Sequence, residues 1–328
     1  MADNKGILII AEGLTATTGE LLAWGRKLAG GLGEEVAALF IGDAVSGMAS
    51  QAIALGADKV YVIEDALLKD YRTDSYVTVA DKVIKQIAPR IVLAGQTTIG
   101  RDLAPRLAFK LNTSVTMDCI DLAIDPATKQ LLQTKPVFGG NARAVFVTES
   151  MPQIATVRSK TTSPLATDPA RKGEVVTIAA GLDAAAIRTI VLQKVAQEVQ
   201  GVRLEDANVV VSGGRGIGGP DGFKQLEELA KILKGAMGAS RPACDNAWVP
   251  ETIQVGLTGK IVSPEVYIAV AISGSSQHLA GCGGSKNIIA INKDPEANIF
   301  REARFGVVGD WKKCVPAFTV KIKELLGR

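Results

Sequence analysis

Short apolar runs rich in Val and Ile, each closed by glycine or a polar cluster, recur along this chain with helix-period segments between them. KGILIIA, VAALFIG, KVYVIE and RIVLAG lie in the first half, and NVVVSGG, EVYIAVAIS, NIIAINKD and FGVVGD in the second. Between the first four, Glu20 to Leu32, Ser46 to Leu55 and Tyr76 to Ala88 carry the spacing of helices. Near-continuous apolar strands alternating with helices predict βαβ units and a mostly parallel sheet flanked by helices. A chain of 328 residues is too long for one small core, and the alternation restarts in the second half, so two such domains are expected.

The division is placed at 1–195 and 196–328. GRDLAPRLAFKL follows the fourth run, with Pro105 suited to a helix's opening turns. Residues 119 to 158 read as extended pieces with turn signals, Phe138-Gly139-Gly140-Asn141 among them, which predicts β-hairpins appended to the first domain. Ser159 to Lys172 is polar and proline-bearing, as in a loop or linker, and Ala184 to Val199 reads as a helix leading into the second half. There, Phe223, Leu226, Leu229, Ala230, Leu233, Ala236 and Met237 keep one helical face, and Val315 to Leu326 forms a closing helix.

Composition removes several function classes. Lys+Arg 37 against Asp+Glu 34 is nearly balanced, with no basic block interleaved with aromatics, so a nucleic-acid surface has no support. No apolar run approaches the ~18 residues of a membrane span. MADNKGILIIAEG lacks a basic leader region, which suggests a cytoplasmic protein. The four cysteines form no C-x-x-C pair, and a single histidine, His278, gives them no zinc-binding company. Only that histidine could serve a Ser-His-Asp triad, and no G-x-S-x-G elbow accompanies it.

The chemistry-bearing residues cluster at strand ends, where open parallel sheets hold ligands. After NVVVS come Gly213, Gly214 and Gly216 with Arg215 among them, a set suited to close backbone approach and to a pyrophosphate. Read alone, the run equally suits a tight turn with a solvated arginine, and these three glycines are not spaced as G-x-G-x-x-G. GASR brings Ser240 and Arg241, and QVGLTGK brings Thr258 and Lys260. The third cluster, ISGSSQH, holds His278, and INKD and VVGD place Asn292, Asp294 and Asp310 after the last strands. Asp294, ahead of Pro295-Glu296, suits a helix cap, and Asp310 a ribose hydroxyl.

Through SGGRG, GASR, VGLTGK, YIAVAISGSSQHLAG and AINKDPEA, in that order, the chain resembles the α subunit of electron-transfer flavoprotein, the FixB family. GRDLAPRLA and PVFGGNARA extend the likeness over the first half. The resemblance implies a heterodimer with a β subunit, in which the first domain packs against the partner. The second, Rossmann- or flavodoxin-like, cradles FAD and swings between redox partners. It implies an electron carrier rather than a catalyst of substrate turnover, drawing electrons from flavoprotein dehydrogenases of the acyl-CoA type in fatty acid β-oxidation. The electrons pass to an acceptor such as a quinone reductase.

By motif, the resemblance puts Arg215 by the flavin or its phosphates and Arg241 against the isoalloxazine. Thr258 stands near flavin N5 with Gln254, Val255 and Gly259 beside it, and Ser240, Ser273, Gly274 and Gln277 surround the ribityl and diphosphate. His278 points at the pyrimidine end of the ring, and Asn292 and Asp310 at the adenosine half. A donor there favours the reduced, anionic flavin. A hydrogen bond to a charged group is worth ~1.5–3 kcal/mol, roughly 65–130 mV for one electron. The family often has Gln where this chain has Leu257. Within the family, electron-bifurcating members carry a second FAD in the β subunit and meet NADH. Outside it, the rivals are an NAD(P)-dependent oxidoreductase using the same crevice and an adenine-nucleotide sensor.

Overall fold

The computed structural model describes residues 4–140, 142–195 and 201–327. The chain divides into two compact units, 1–136 with 143–195, and 196–328 with Val137–Ala142.

The chain begins β1 (Ile7–Ala11), α1 (Ala16–Leu32), β2 (Val36–Gly42), α2 (Ala49–Ala54), β3 (Lys59–Glu64), α3 (Thr73–Ile87), β4 (Ile91–Gly95), α4 (Thr98–Lys110) and β5 (Val115–Cys119). It continues through β6 (Asp121–Ile124), β7 (Leu131–Val137), β8 (Ala142–Phe146), β9 (Gln153–Val157) and β10 (Glu174–Thr177). Seven of these strands form one sheet in the order β10-β3-β2-β1-β4-β9-β5, with every pairing parallel. Alternate side chains of the strands feed two cores. Ile7, Ile9 and Phe40 pack with Leu22 and Leu28 of α1, while Leu8, Ile10 and Leu39 pack with Val83 of α3 and Leu107 of α4.

Several boundaries move for local reasons. Helix α1 starts ahead of Glu20 because the Thr15 hydroxyl accepts from Thr18 N–H and caps it. Pro105 sits inside α4, past its opening turns. The 119–158 stretch is only partly appended hairpin. The strands β6, β7 and β8 make a separate three-stranded sheet, but β9 enters the parallel sheet between β4 and β5. The helix expected over Ala184 to Val199 is absent from its described part. Ala184–Ala186 makes one 3₁₀ turn, and residues 187–195 have no regular structure. The Asp74 carboxylate accepts from the backbone N–H of both Arg188 and Thr189, which draws the chain out along the start of α3. Residues 196–199 of that call lie outside the described residues.

The second unit comprises β11 (Val209–Gly213), α5 (Pro220–Ile232), β12 (Ala236–Ala239), α6 (Arg241–Asp245), β13 (Val266–Val270) and α7 (Ser276–Cys282). After these come β14 (Asn287–Asn292), α8 (Ile299–Glu302), β15 (Phe305–Val308) and α9 (Trp311–Leu325). Ala236 and Met237 are therefore not on the helix their spacing suggests. Lys234 adopts φ 52°, α5 ends, and the chain turns into β12. The sheet order is β12-β11-β13-β14-β15, all parallel, which is the 2-1-3-4-5 order of flavodoxin-like folds. Val211, Ile268, Val270 and Ile291 pack on α5 and α9, while Val210, Tyr267 and Ala269 pack on the face that carries α7 and α8.

Candidate functional site

From β11 the chain crosses to β12 on one side, while β13 lies on the other. The loops leaving β11 and β13 therefore diverge, and a crevice opens at the carboxyl ends of the strands. It has a volume of about 570 Å³, inside the usual range of small-molecule sites.

The first wall is the turn after β11. Gly214 lies flush against the end of β13, so that a Cβ would collide with the Ala271 carbonyl oxygen. The next residue, Arg215, lines the crevice, is exposed and forms no ion pair among the described residues. Trp311 at the start of α9 donates its indole N–H to Gly216 O at 3.2 Å and pins the turn from behind. Extended to Gly219, the run GRGIGG does have the G-x-G-x-x-G spacing, between a strand and a helix, which the reading of Gly213, Gly214 and Gly216 misses. Glycine spacing thus does not disfavour a dinucleotide.

The second wall follows β12. Ser240 is buried, with its N–H on Gly213 O, and Arg241 opens α6 with its guanidinium 3.5 Å from Asp245. Val255 N–H donates to Ala239 O at 2.8 Å, so the loop Gln254 to Thr258 extends this side of the sheet. In it Gln254 is buried and Thr258 exposed, and Leu257 stands exposed on the rim. The loop lies tightly on α7. Leu257 N–H donates to Gln277 O at 2.8 Å, and a Cβ on Gly281 would strike the backbone of Gly256. Lys260 points elsewhere and pairs with Glu205.

The third wall follows β13 and β14. Ser273 and Gln277 line it as exposed side chains. The Asn292 amide donates to Ile272 O at 2.9 Å and accepts from Asp294 N–H at 3.0 Å, so it braces the wall. Ten of the expected residues thus line one crevice: Arg215, Ser240, Arg241, Gln254, Val255, Thr258, Ser273, Gln277, His278 and Asn292.

Three others do not line it. Gly259 sits behind the loop against Gln254, and Gly274 is a turn residue at φ 81° packed on Ile299. Asp310 caps α9 by accepting from Lys312 N–H at 3.0 Å, and it is Asp294 that lines the crevice. Asp294, expected as a cap, thus lines the crevice, and Asp310, expected near a ribose, caps a helix. A helix directly follows Asp310, whereas Asp294 heads a short turn, with α8 beginning only at Ile299.

His278 is 5% exposed and lines the crevice with both ring nitrogens turned into the protein. Nε2 lies 2.9 Å from the Tyr267 hydroxyl. The other nitrogen, Nδ1, is buried and has no hydrogen-bond partner among the described residues. Burial pushes the imidazole pKa down to about 4, against a smaller opposing effect of Val255. The ring is neutral at physiological pH, and its Nε2 meets the Tyr267 hydroxyl. The partner that holds it, Tyr267, is a residue the strand pattern conceals. An aromatic hydroxyl inside VYIAV is the one signal that could have found it.

Residues 9–183 match the electron transfer flavoprotein domain, and residues 203–283 the electron transfer flavoprotein FAD-binding domain. Over 330 residues the chain is 44% identical to the electron transfer flavoprotein subunit alpha of Thermoanaerobacterium thermosaccharolyticum, covering 99% of this chain and 100% of that one. The chain belongs to the electron transfer flavoprotein α-subunit family. Identity to the Megasphaera elsdenii subunit is 43%, with 100% and 99% covered, and to Protein FixB of Clostridium saccharobutylicum 40%, also with 100% and 99% covered.

The cofactor of this α subunit is FAD, and the crevice fits it. The cavity is large enough for much of a dinucleotide, its two exposed arginines suit an anionic, electron-rich group, and hydroxyls of Ser240, Thr258 and Ser273 suit its ribityl chain and ring edge. Among the described residues, no cluster of three or more His, Cys, Asp or Glu side chains could hold a metal, and no helix is long and apolar enough to cross a membrane.

Proposed function

We propose that this α subunit holds FAD in the crevice of its 196–328 domain and works as an electron carrier in a heterodimer with a β subunit. It takes electrons from acyl-CoA-type flavoprotein dehydrogenases and passes them to an acceptor such as a quinone reductase. The observation that carries this reading is a crevice with cationic and hydroxyl groups at its surface and only uncharged groups buried in its wall. FAD, when bound, supplies reversible one- and two-electron storage. The protein's part is to hold it, exclude water and offer fixed dipoles.

The side chains support holding over reacting. The buried His278 is too weak a base to act near neutrality, and desolvation pushes the Cys282 thiol up to about 12 and the Cys244 thiol up to about 11, so neither is a nucleophile. Arg215 lies by the flavin or its phosphates, Arg241 against the isoalloxazine, and the Gln254–Thr258 loop covers the ring edge. The 1–195 domain is the β-subunit-facing part. In support, it exposes Phe109 and, on β8, Val145 and Phe146, apolar surface that a partner would cover.

Co-expression with the β subunit tests this. A yellow heterodimer that releases one FAD on denaturation supports the simple carrier. Two FAD per heterodimer support the electron-bifurcating form. A colourless pair that binds NAD contradicts both.

A further inference from the structure

Leu257 breaks the polar character of the crevice. Its side chain is 60% exposed and lines the cavity, whereas Arg215, Arg241, Thr258, Ser273 and Gln277 make the rest of the exposed lining chiefly polar. Of the large apolar side chains exposed among the described residues, it alone lines the crevice. A single exposed leucine is ordinary on a free surface. This one stands at the mouth of a ligand site, on backbone that is held in place.

The hold comes from several directions. Gly259 N–H donates to Gly256 O at 3.0 Å, which closes a tight turn with Leu257 and Thr258 at its tip. Below the turn, Lys260 N–H donates to Gln254 O at 2.7 Å and Gly256 N–H to Lys260 O at 3.2 Å. Gly256 enters the turn at φ 151°, where a side chain is strained and a Cβ would crowd Gln277 O. Leu257 N–H is itself fastened to that same carbonyl oxygen. The turn therefore presents two side chains to the cavity from fixed positions. One is aliphatic; the other is a hydroxyl that accepts from Gln254 and keeps its own proton to donate. An apolar group beside a hydrogen-bond donor suits the edge of a planar heteroaromatic ring.

We propose that Leu257 is a cofactor-contact residue of the crevice: its side chain closes over the edge of the flavin ring beside Thr258 and keeps water from it. This rests on the crevice being the FAD site. Binding then covers an aliphatic side chain that otherwise stands in water, and the Thr258 hydroxyl donates in a drier place, where a hydrogen bond is stronger.

The test uses the full-length heterodimer. Leu257→Cys puts a thiol at the tip of the turn, while the chain's own Cys119, Cys244 and Cys282 are buried and Cys314 half-buried. Alkylation by iodoacetamide is followed at residue 257 by peptide mass. The thiol should react freely in the FAD-free heterodimer, and saturating FAD should slow it at least about tenfold. Leu257→Ala should weaken FAD about five- to tenfold and raise iodide quenching of the bound flavin's fluorescence. It should leave the melting temperature of the FAD-free protein unchanged, and Leu257→Met, which keeps the volume, should restore the affinity. A thiol alkylated equally fast with and without FAD overturns the proposal. So does one already blocked in the FAD-free heterodimer, where the β subunit is its cover, and so does Leu257→Ala with wild-type affinity and quenching. If Arg215→Ala loses FAD while the Leu257 variants match the wild type, the FAD reading of the crevice stands and this contact fails. If neither position affects FAD, both readings fall together.

Discussion

The side-chain amide of Gln254 donates to the hydroxyl oxygen of Thr258 at 3.0 Å, inside the loop that edges the crevice. A hydroxyl has one proton and two lone pairs. With a lone pair taken by Gln254, the Thr258 proton is left to donate, and Thr258 lines the cavity. Gln254→Leu should therefore weaken FAD by about 1 kcal/mol, as should Thr258→Val. The two losses should be far from additive in a double-mutant cycle, since both act through one hydroxyl. Additive losses would mean that the residues act separately.

Asp310 offers a test of its placement. As the cap of α9 it should be worth about 1 kcal/mol of stability. Asp310→Ala should lower the unfolding free energy measured in urea by that amount and leave the FAD content of the heterodimer unchanged. A variant of unaltered stability that loses FAD would return Asp310 to the cofactor.

At Gly214 no side chain fits. Because a Cβ would meet the Ala271 carbonyl oxygen, Gly214→Ala must push the β11 turn away from the end of β13. Overpacking of this kind costs about 1–3 kcal/mol. The expected result is a lower melting temperature together with weakened FAD, since the same turn carries Arg215.

The buried imidazole also gives stability a pH signature. The His278 pKa is about 4 in the folded chain against an ordinary 6.5, so between these values the unfolded chain binds a proton that the folded chain does not. Its contribution is fully present above pH 6.5 and lost as pH falls toward 4, by about 3 kcal/mol in all. Urea unfolding of the wild type and of His278→Gln from pH 7 to pH 4 should give curves that converge through this window. Parallel curves would show that the ring is not buried as described.

The strands were legible wherever a Val- and Ile-rich run was flanked by turn residues, as in β2 and β3, whose bounds match the runs VAALFIG and KVYVIE. Strand β12 was hidden because AMGA is short and happens to continue the helical spacing of α5, and only the left-handed turn at Lys234 separates them. The failed helix after Ala184 shows the opposite case. A helical pattern was present, but its backbone N–H groups found the Asp74 carboxylate, a partner more than a hundred positions earlier in the chain. The site's location was readable from strand ends, which the parallel topology forces together. The orientation of His278 was not, because it depends on Tyr267, which approaches from the adjacent strand.

The central claim is that FAD sits in the crevice between the turn after β11 and the start of α6, where Arg215 and Arg241 meet it. Flavin released from the heterodimer should be counted for the wild type and for Arg215→Ala and Arg241→Ala made in the same α subunit. A charge-assisted hydrogen bond is worth about 1.5–3 kcal/mol, so each variant should bind FAD roughly ten- to a hundredfold more weakly and lose it on gel filtration, while the wild type keeps it. Full retention of the α-subunit FAD in both variants would contradict the site.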